Sequence, residues 1–169
     1  MGIQASELQF KILSNSDDLT SFVCSDQELN EYLKEDALVD QLSKLSVTRL
    51  AYSDSKLIGF FTLVNASIRR ELIRSDDGAE RFDYPHYPAI KIARLATDRQ
   101  YERNGIGKAM LLRSMAISTK ISEHVGCRFI IVDAKNNSVN YYAKFGFVVA
   151  KARENTTAMY RNIPHESFI

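Results

Sequence analysis

The chain has 169 residues, 45 % of them apolar, which is enough to bury a core as one domain with room for a long insert. No run approaches about eighteen uninterrupted apolar residues, and Met1–Phe10 has no basic start followed by an apolar stretch, so neither a transmembrane helix nor a signal peptide is read. The net charge is +1, split as −6 over residues 1–80 and +7 over residues 81–169, so any attraction for a polyanion belongs to the C-terminal half. Cys24 and Cys127 stand far apart and form no CxxC pair, which reads as free buried thiols in a reducing compartment. Three scattered histidines give no ligand set for a structural zinc, and no metal is expected.

In chain order, Leu8–Leu13 alternates as a first strand. Ser25-Asp26-Gln27-Glu28 reads as a capping box with Ser25 as the cap. A helix follows to about Ser43, with Leu29, Leu33 and Ala37 on one apolar stripe. Val47–Tyr52 is a strand, 53–56 a turn, and Leu57–Ile68 a long strand whose unbroken apolar run predicts burial on both faces. Residues 69–88 read as an irregular loop or insert with a short helix. Ala89–Asp98 is a strand. The spacing predicts a helix over Gly105–Gly126, with Ile106, Met110, Ile117 and Ile121 inward and Gly126 as its stop. Arg128–Ala134 is a buried strand, Ser138–Phe145 a short helix closed by Gly146, and Phe147–Lys151 with Thr157–Arg161 a terminal strand pair. The order β-α-β-β-insert-β-α-β-α-β-β gives a single α/β domain over 1–169, with a mixed sheet and helices on both faces.

The segment that carries chemistry is Ile92–Asp98 followed by Arg103-Asn104-Gly105-Ile106-Gly107-Lys108-Ala109. A strand runs through a short loop into a helix N-terminus, where backbone N–H groups lack intrahelical partners and the macrodipole is positive. Glycines let backbone approach an anion, and Arg103 and Lys108 add charge. A Walker A loop needs glycine at 102 and Ser or Thr at 109, where the chain has Glu102 and Ala109. A dinucleotide fingerprint needs a third glycine at 110, where Met110 stands. The pair Gly105 and Gly107 alone is equally the mark of a strand–helix turn with no ligand.

Arg103–Leu111 resembles the R-x-G-x-G-[KR]-A-[LM]-L pyrophosphate motif of the GNAT N-acetyltransferase superfamily. Downstream, Tyr141-Tyr142-Ala143-Lys144-Phe145-Gly146-Phe147 resembles its F/Y-Y-x-K-x-G-F signature. The two motifs and the strand order cover roughly residues 45–162; one departure is Glu102, where the superfamily usually has Gln or Arg. The resemblance implies a GNAT fold, a mostly antiparallel sheet, and acetyl-CoA as cosubstrate. It implies that the pantetheine arm lies along Leu95, Ala96 and Thr97, that the Leu95 N–H faces the thioester oxygen, and that Arg103, Asn104, Gly105, Ile106, Gly107 and Lys108 hold the pyrophosphate. It gives Tyr142 the role of acid for the departing thiolate. Asn136 and Asn137 either bond the pantetheine amides or serve as turn and cap residues. No general base identifies itself; Asp98 stands at the strand end, and an acceptor amine of lowered pKa would need only water.

Phe22–Ala37 further resembles the F-x-C-x-x-x-E-L-x-x-[FY]-L-x-x-x-A stretch of GNAT-type toxins, as Arg94-Leu95-Ala96 resembles their cofactor strand. Such toxins acetylate the α-amine of aminoacyl-tRNA and are neutralised by a ribbon-helix-helix antitoxin. A capped amphipathic helix would carry the first pattern by packing alone. Arg94, Arg99, Arg103, Arg113, Lys144 and Lys151 would supply a basic face for RNA, although the whole-chain charge is near zero. The acceptor therefore stays open between aminoacyl-tRNA and a protein or small-molecule amine, with a catalytically silent CoA-binding module as the non-enzyme reading. The expected setting is the cytoplasm, with no membrane partner; the oligomeric state is open, a homodimer being one form.

Overall fold

The computed structural model describes residues 3–78 and 84–164. The strands are β1 (Gln9–Ile12), β2 (Val47–Ser53), β3 (Lys56–Arg69), β4 (His86–Thr97), β5 (Phe129–Lys135), β6 (Val148–Ala152) and β7 (Thr156–Asn162). The helices are α1 (Gln27–Glu31), α2 (Ala37–Leu42), α3 (Ile106–Ser122) and α4 (Val139–Ala143). The hydrogen-bonded strand order is β1-β2-β3-β4-β5-β7-β6. β4 and β5 run parallel, while β1/β2, β2/β3, β5/β7 and β6/β7 are antiparallel. The sheet is thus α/β and mostly antiparallel, as the resemblance implies. Two compact units share the chain, residues 1–64 with 93–114 and residues 65–92 with 115–169.

In the first unit, the helical segment starts one residue later than the capping box predicts. Asp26, not Ser25, is the cap: its backbone is extended and its carboxylate accepts the Glu28 N–H at 3.0 Å. A carboxylate at a helix N-terminus also complements the dipole, which a serine does not. Between α1 and α2 lies a π turn, Tyr32–Asp36, which widens the helix by a residue and buries Tyr32 beside Leu33. α2 ends at Leu42 with Ser43 as its C-cap, and Lys44, with a φ of 62°, is the left-handed stop beyond it. Gln41 ties it down: its Nε2 donates to the Leu13 carbonyl at 2.7 Å and its Oε1 accepts the Thr48 N–H at 3.0 Å. Asp54 and Ser55, with φ of 46° and 63°, make the two-residue turn joining β2 to β3. The core joins Phe22, Leu33, Leu50, Phe60 and Ala96, with Phe22 edge-on to Phe60 at 5.5 Å.

β3 is continuously buried from Leu57 to Leu63, then alternates to Arg69, so the expected two-sided burial stops short of Ile68's neighbours. At Gly59 α3 packs close: a Cβ there would stand 2.8 Å from the Met110 sulfur. On α3 the inward positions are Ile106, Met110, Leu111, Ser114 and Ser118, whereas Ile117 and Ile121 are only half-buried. The apolar stripe misplaces the face because the Ser114 hydroxyl satisfies itself on the Met110 carbonyl at 2.8 Å and can be buried at low cost. α3 ends at Ser122, with no left-handed glycine at 126.

In the second unit, the expected insert is more ordered than its composition predicts. The 3-10 turns Arg70–Leu72 and Ser75–Asp77 follow β3, and β4 begins at His86, three residues before the expected start. Residues 79–83 of that expected insert lie outside the described residues. Asp77 is the fastening point. Its carboxylate accepts Tyr160 Oη at 2.6 Å and Asn162 Nδ2 at 2.7 Å, and its carbonyl accepts Arg128 Nε and Nη2 at 3.0 and 2.9 Å. Tyr87, Phe129 and Tyr160 stack edge to face behind it, at 5.8 and 5.4 Å. Both cysteines are free, Cys24 buried and Cys127 only half-buried.

Replacing Asp77 by Ala strands two side-chain donors, one of them on an Asn162 amide whose oxygen is already buried without a partner. Each hydrogen bond to a charged group is worth about 1.5–3 kcal/mol. Asp77→Ala is expected to lower the unfolding free energy by about 3 kcal/mol, read as a lower urea midpoint at unchanged slope.

Candidate active site

β4 sets the geometry. Its parallel register with β5 covers Ala89 to Ile92, and the strand then continues to Thr97 beyond the end of that register. The backbone N–H and C=O groups of Leu95–Thr97 on that edge therefore call for another partner, which an extended, amide-bearing chain supplies well. Leu95 and Thr97 are half-buried and Ala96 is buried.

At the end of the strand, Asp98 organises everything that follows. Its residue is 6 % exposed. Oδ2 accepts the Val23 N–H at 2.9 Å, Oδ1 accepts the Gln100 N–H at 2.9 Å, and its own N–H donates to the Ile58 carbonyl at 2.9 Å. Both oxygens thus hold backbone, which gives Asp98 a structural duty rather than that of a free base. The 3-10 turn Arg99–Tyr101 follows. Glu102, the departure from the usual motif, accepts the Ser25 hydroxyl at 2.6 Å, linking the loop to the start of the helical segment.

The loop itself bends at Arg103 and Gly105, with φ of 61° and 81°. A Cβ on Gly105 would meet nothing within 4 Å, so the glycine serves the left-handed backbone and not a lack of room. α3 then opens, its first backbone hydrogen bond running from Ala109 N–H to the Gly105 carbonyl at 3.0 Å. The N–H groups of Ile106, Gly107 and Lys108 precede that bond and have no intrahelical acceptor. Asn104 Nδ2 turns inward to the Glu102 carbonyl at 3.1 Å. The structure gathers Leu95, Ala96, Thr97 and the 103–108 loop in the first unit, as one strand edge leading to one anion-seeking helix end.

Asn136, Asn137 and Tyr142 lie in the second unit. The Asn136 amide is already engaged: Nδ2 donates to the Glu154 carbonyl at 2.9 Å and Oδ1 accepts the Thr157 hydroxyl at 3.1 Å. It fastens the 3-10 turn Asn136–Ser138 to the β6–β7 connection. Asn137 is exposed, its Oδ1 taking only a long 3.4 Å bond from Ser138. Tyr142, on α4, is 9 % exposed and packs edge-on to Tyr141 at 5.5 Å and Phe147 at 5.6 Å. No described residue takes a hydrogen bond from its hydroxyl. Burial, and secondarily the Tyr141 hydroxyl, push its pKa up to about 12. Gly146, with φ of 83°, closes α4 as expected. Among the described residues no group of three His, Cys, Asp or Glu could hold a metal, and no helix is long and apolar enough to cross a membrane.

Sequence reasoning missed Asp98 as an anchor and the Ser25–Glu102 link. Asp98 followed two residues later by Gln100 is the spacing of an Asx turn, so that part was available locally. The bond to Val23, 75 residues away, was not.

Residues 14–163 match the family model described as an acetyltransferase (GNAT) domain. A tRNA-acetylating toxin of Mycobacterium tuberculosis is 27 % identical over 140 residues, covering 82 % of each chain. Among solved structures, AtaT complexed with acetyl-methionyl-tRNA aligns with a TM-score of 0.81 at 21 % identity, over 90 % of this chain and 93 % of that one. A tyrosine-to-phenylalanine mutant of the AtaT toxin, bound to the C-terminus of the antitoxin AtaR and acetyl-CoA, aligns with a TM-score of 0.75 at 22 % identity, over 92 % and 93 %. At those identities the likeness establishes the fold.

The raised Tyr142 pKa has a stability consequence. An unfolded tyrosine loses its proton near 10, while the folded one keeps it to about 12. Between those values the folded state binds more protons, so stability falls as pH rises from 10 to 12 and is unaffected below 10. Tyr52 and Tyr160 are also pushed up to about 12, so Tyr142→Phe is expected to lessen the alkaline decline without abolishing it, measured as the urea midpoint at pH 9, 10 and 11.

Proposed function

The chain belongs to the acetyltransferase (GNAT) domain family, and on that premise we propose that it moves the acetyl group of acetyl-CoA onto the α-amine of aminoacyl-tRNA. The observation that carries the acceptor is the match to a tRNA-acetylating toxin across four-fifths of both chains.

The residues present fit the donor. Acetyl-CoA, when bound, supplies an activated thioester and a pyrophosphate. The free edge of Leu95–Thr97 suits the amides of a pantetheine arm, and the N–H groups at the start of α3 suit a pyrophosphate, with Arg103 and Lys108 adding charge. Asn137 retains amide donors for the same arm; Asn136 keeps its turn-holding duty. The Leu95 N–H donates to the oxygen on which negative charge develops during attack by the amine. The Tyr142 hydroxyl holds the proton for the departing sulfur. A pKa of about 12 means that this proton is present throughout the working range, so Tyr142 is always in the donating form. No side chain need take the proton of the attacking amine, because an aminoacyl ester lowers its basicity enough for water to do so.

On this reading the chain works in the cytoplasm, where charged tRNA is found, as a single domain over residues 1–169 with an antitoxin partner of the ribbon-helix-helix kind.

Incubation with labelled acetyl-CoA should label charged tRNA, and leave deacylated tRNA and a protein extract unlabelled; label in the protein fraction alone would overturn the acceptor. Tyr142→Phe should lower kcat by about 100-fold, within the range of general acid catalysis, with little change in acetyl-CoA affinity by calorimetry. It should leave any alkaline limb of the rate below pH 10 where it was, because a group titrating near 12 cannot produce that limb.

A further inference from the structure

Arg94 stands immediately before Leu95 and has no part in the chemistry above. It is exposed, and no carboxylate pairs with it among the described residues. Yet it is held in place. Its guanidinium lies 4.6 Å from the centroid of the Tyr32 ring, and Nη1 donates to the Ala93 carbonyl at 2.9 Å. Tyr32 is itself fixed: it is buried, stacked on Phe60 at 6.4 Å and 25°, and its hydroxyl shares a 3.2 Å hydrogen bond with Ser46. The π turn that begins at Tyr32 is what sets this ring in the helical segment.

An arginine that merely solvates a surface samples many rotamers. This one is pinned by a ring on one face and a carbonyl on one N–H, and the rest of its five donors are open. A guanidinium so arranged is ready for a planar or tetrahedral oxyanion, for which its fork is well shaped.

We propose that Arg94, seated on Tyr32, binds a phosphate of the single-stranded 3′ end of the acceptor RNA. The inference rests on aminoacyl-tRNA being the acceptor. In that acceptor the reacting amine is joined through one ester to the terminal ribose, so backbone phosphates come within reach of the reacting carbonyl. Arg94 is one residue, about 3.3 Å of strand, from the N–H proposed to face that carbonyl. A phosphate contact carries no sequence preference, so it suits an enzyme that must place any charged 3′ end.

The test compares wild type with Arg94→Gln, Arg94→Lys and Tyr32→Leu on two acceptors, a charged tRNA and the phosphate-free aminoacyl-adenosine ester. Arg94→Gln should lower kcat/KM for charged tRNA about ten-fold, chiefly through KM, and reduce the salt dependence of that KM by about one phosphate contact. Arg94→Lys should recover part of the loss, and Tyr32→Leu should move the same way as Arg94→Gln. The ratio of the two specificity constants should fall correspondingly. An equal loss on both acceptors, or an unchanged salt dependence in Arg94→Gln, would overturn this inference while leaving the acceptor intact. Failure of the wild-type chain to acetylate charged tRNA would overturn the acceptor reading and this inference with it.

Discussion

The carboxylate of Asp98 is the junction on which the first unit depends. Three segments distant in sequence meet there: the end of β4, the Phe22–Cys24 stretch and the turn into the glycine loop. A buried carboxylate is costly unless its lone pairs are satisfied, and here two backbone N–H groups do so. The same bonds fix where β4 ends. The backbone can therefore turn through Arg103 and Gly105 in left-handed conformations and deliver the first N–H groups of α3 in a set direction. The Ser25–Glu102 bond adds a second tie between the same two segments. Glu102 thus has a reason to differ from the family's usual residue, one that concerns the loop's attachment.

The second unit meets a different constraint with the same means. Its 3-10 turns carry polar groups that no ladder satisfies, and Asp77 gathers the donors of Arg128, Tyr160 and Asn162 around them. Two buried polar atoms stay outside these networks among the described residues, Tyr141 Oη and Asn162 Oδ1, and each is a cost to the fold. Tyr142 packs edge-on to Tyr141 and Phe147 beside the first of them.

Much of the fold was legible from sequence because its signals are local. The strand runs, the 53–56 turn, the glycine after α4 and the two family motifs all lie within a few residues of the structure they specify. The errors arose where distant contacts decide. Ser114 and Ser118 are inward on α3 despite being polar, because a helix backbone can satisfy a serine hydroxyl, and periodicity of apolar residues cannot register that. Asp26 caps in place of Ser25, whose hydroxyl instead donates to a glutamate 77 residues away. For Asn136, left open between a pantetheine contact and a turn role, both amide ends are used locally, by Glu154 in the β6–β7 connection and by Thr157 in β7. The π turn had no signature in the sequence, yet it carries the Tyr32 ring that packs on Phe60.

Net charge was the weakest guide to the acceptor, and the structure explains why. A chain at +1 has no general field to draw in RNA, so on the proposed acceptor affinity would come from a few well-placed cations. Counting Lys and Arg treats all of them alike, whereas their surroundings divide them. Lys91 and Arg153 share Asp133, and Lys120 pairs with Glu123, so their charge is answered within the protein. Arg94 has a ring beneath it and no acid beside it, and Arg49 is half-buried with Arg113 as its charged neighbour, which lowers its pKa. The cations that matter for a polyanion are the unanswered ones. Arg94 is among them and adjoins the strand edge where the acetyl group would be transferred, so local pairing, not the total, bears on what the protein acetylates.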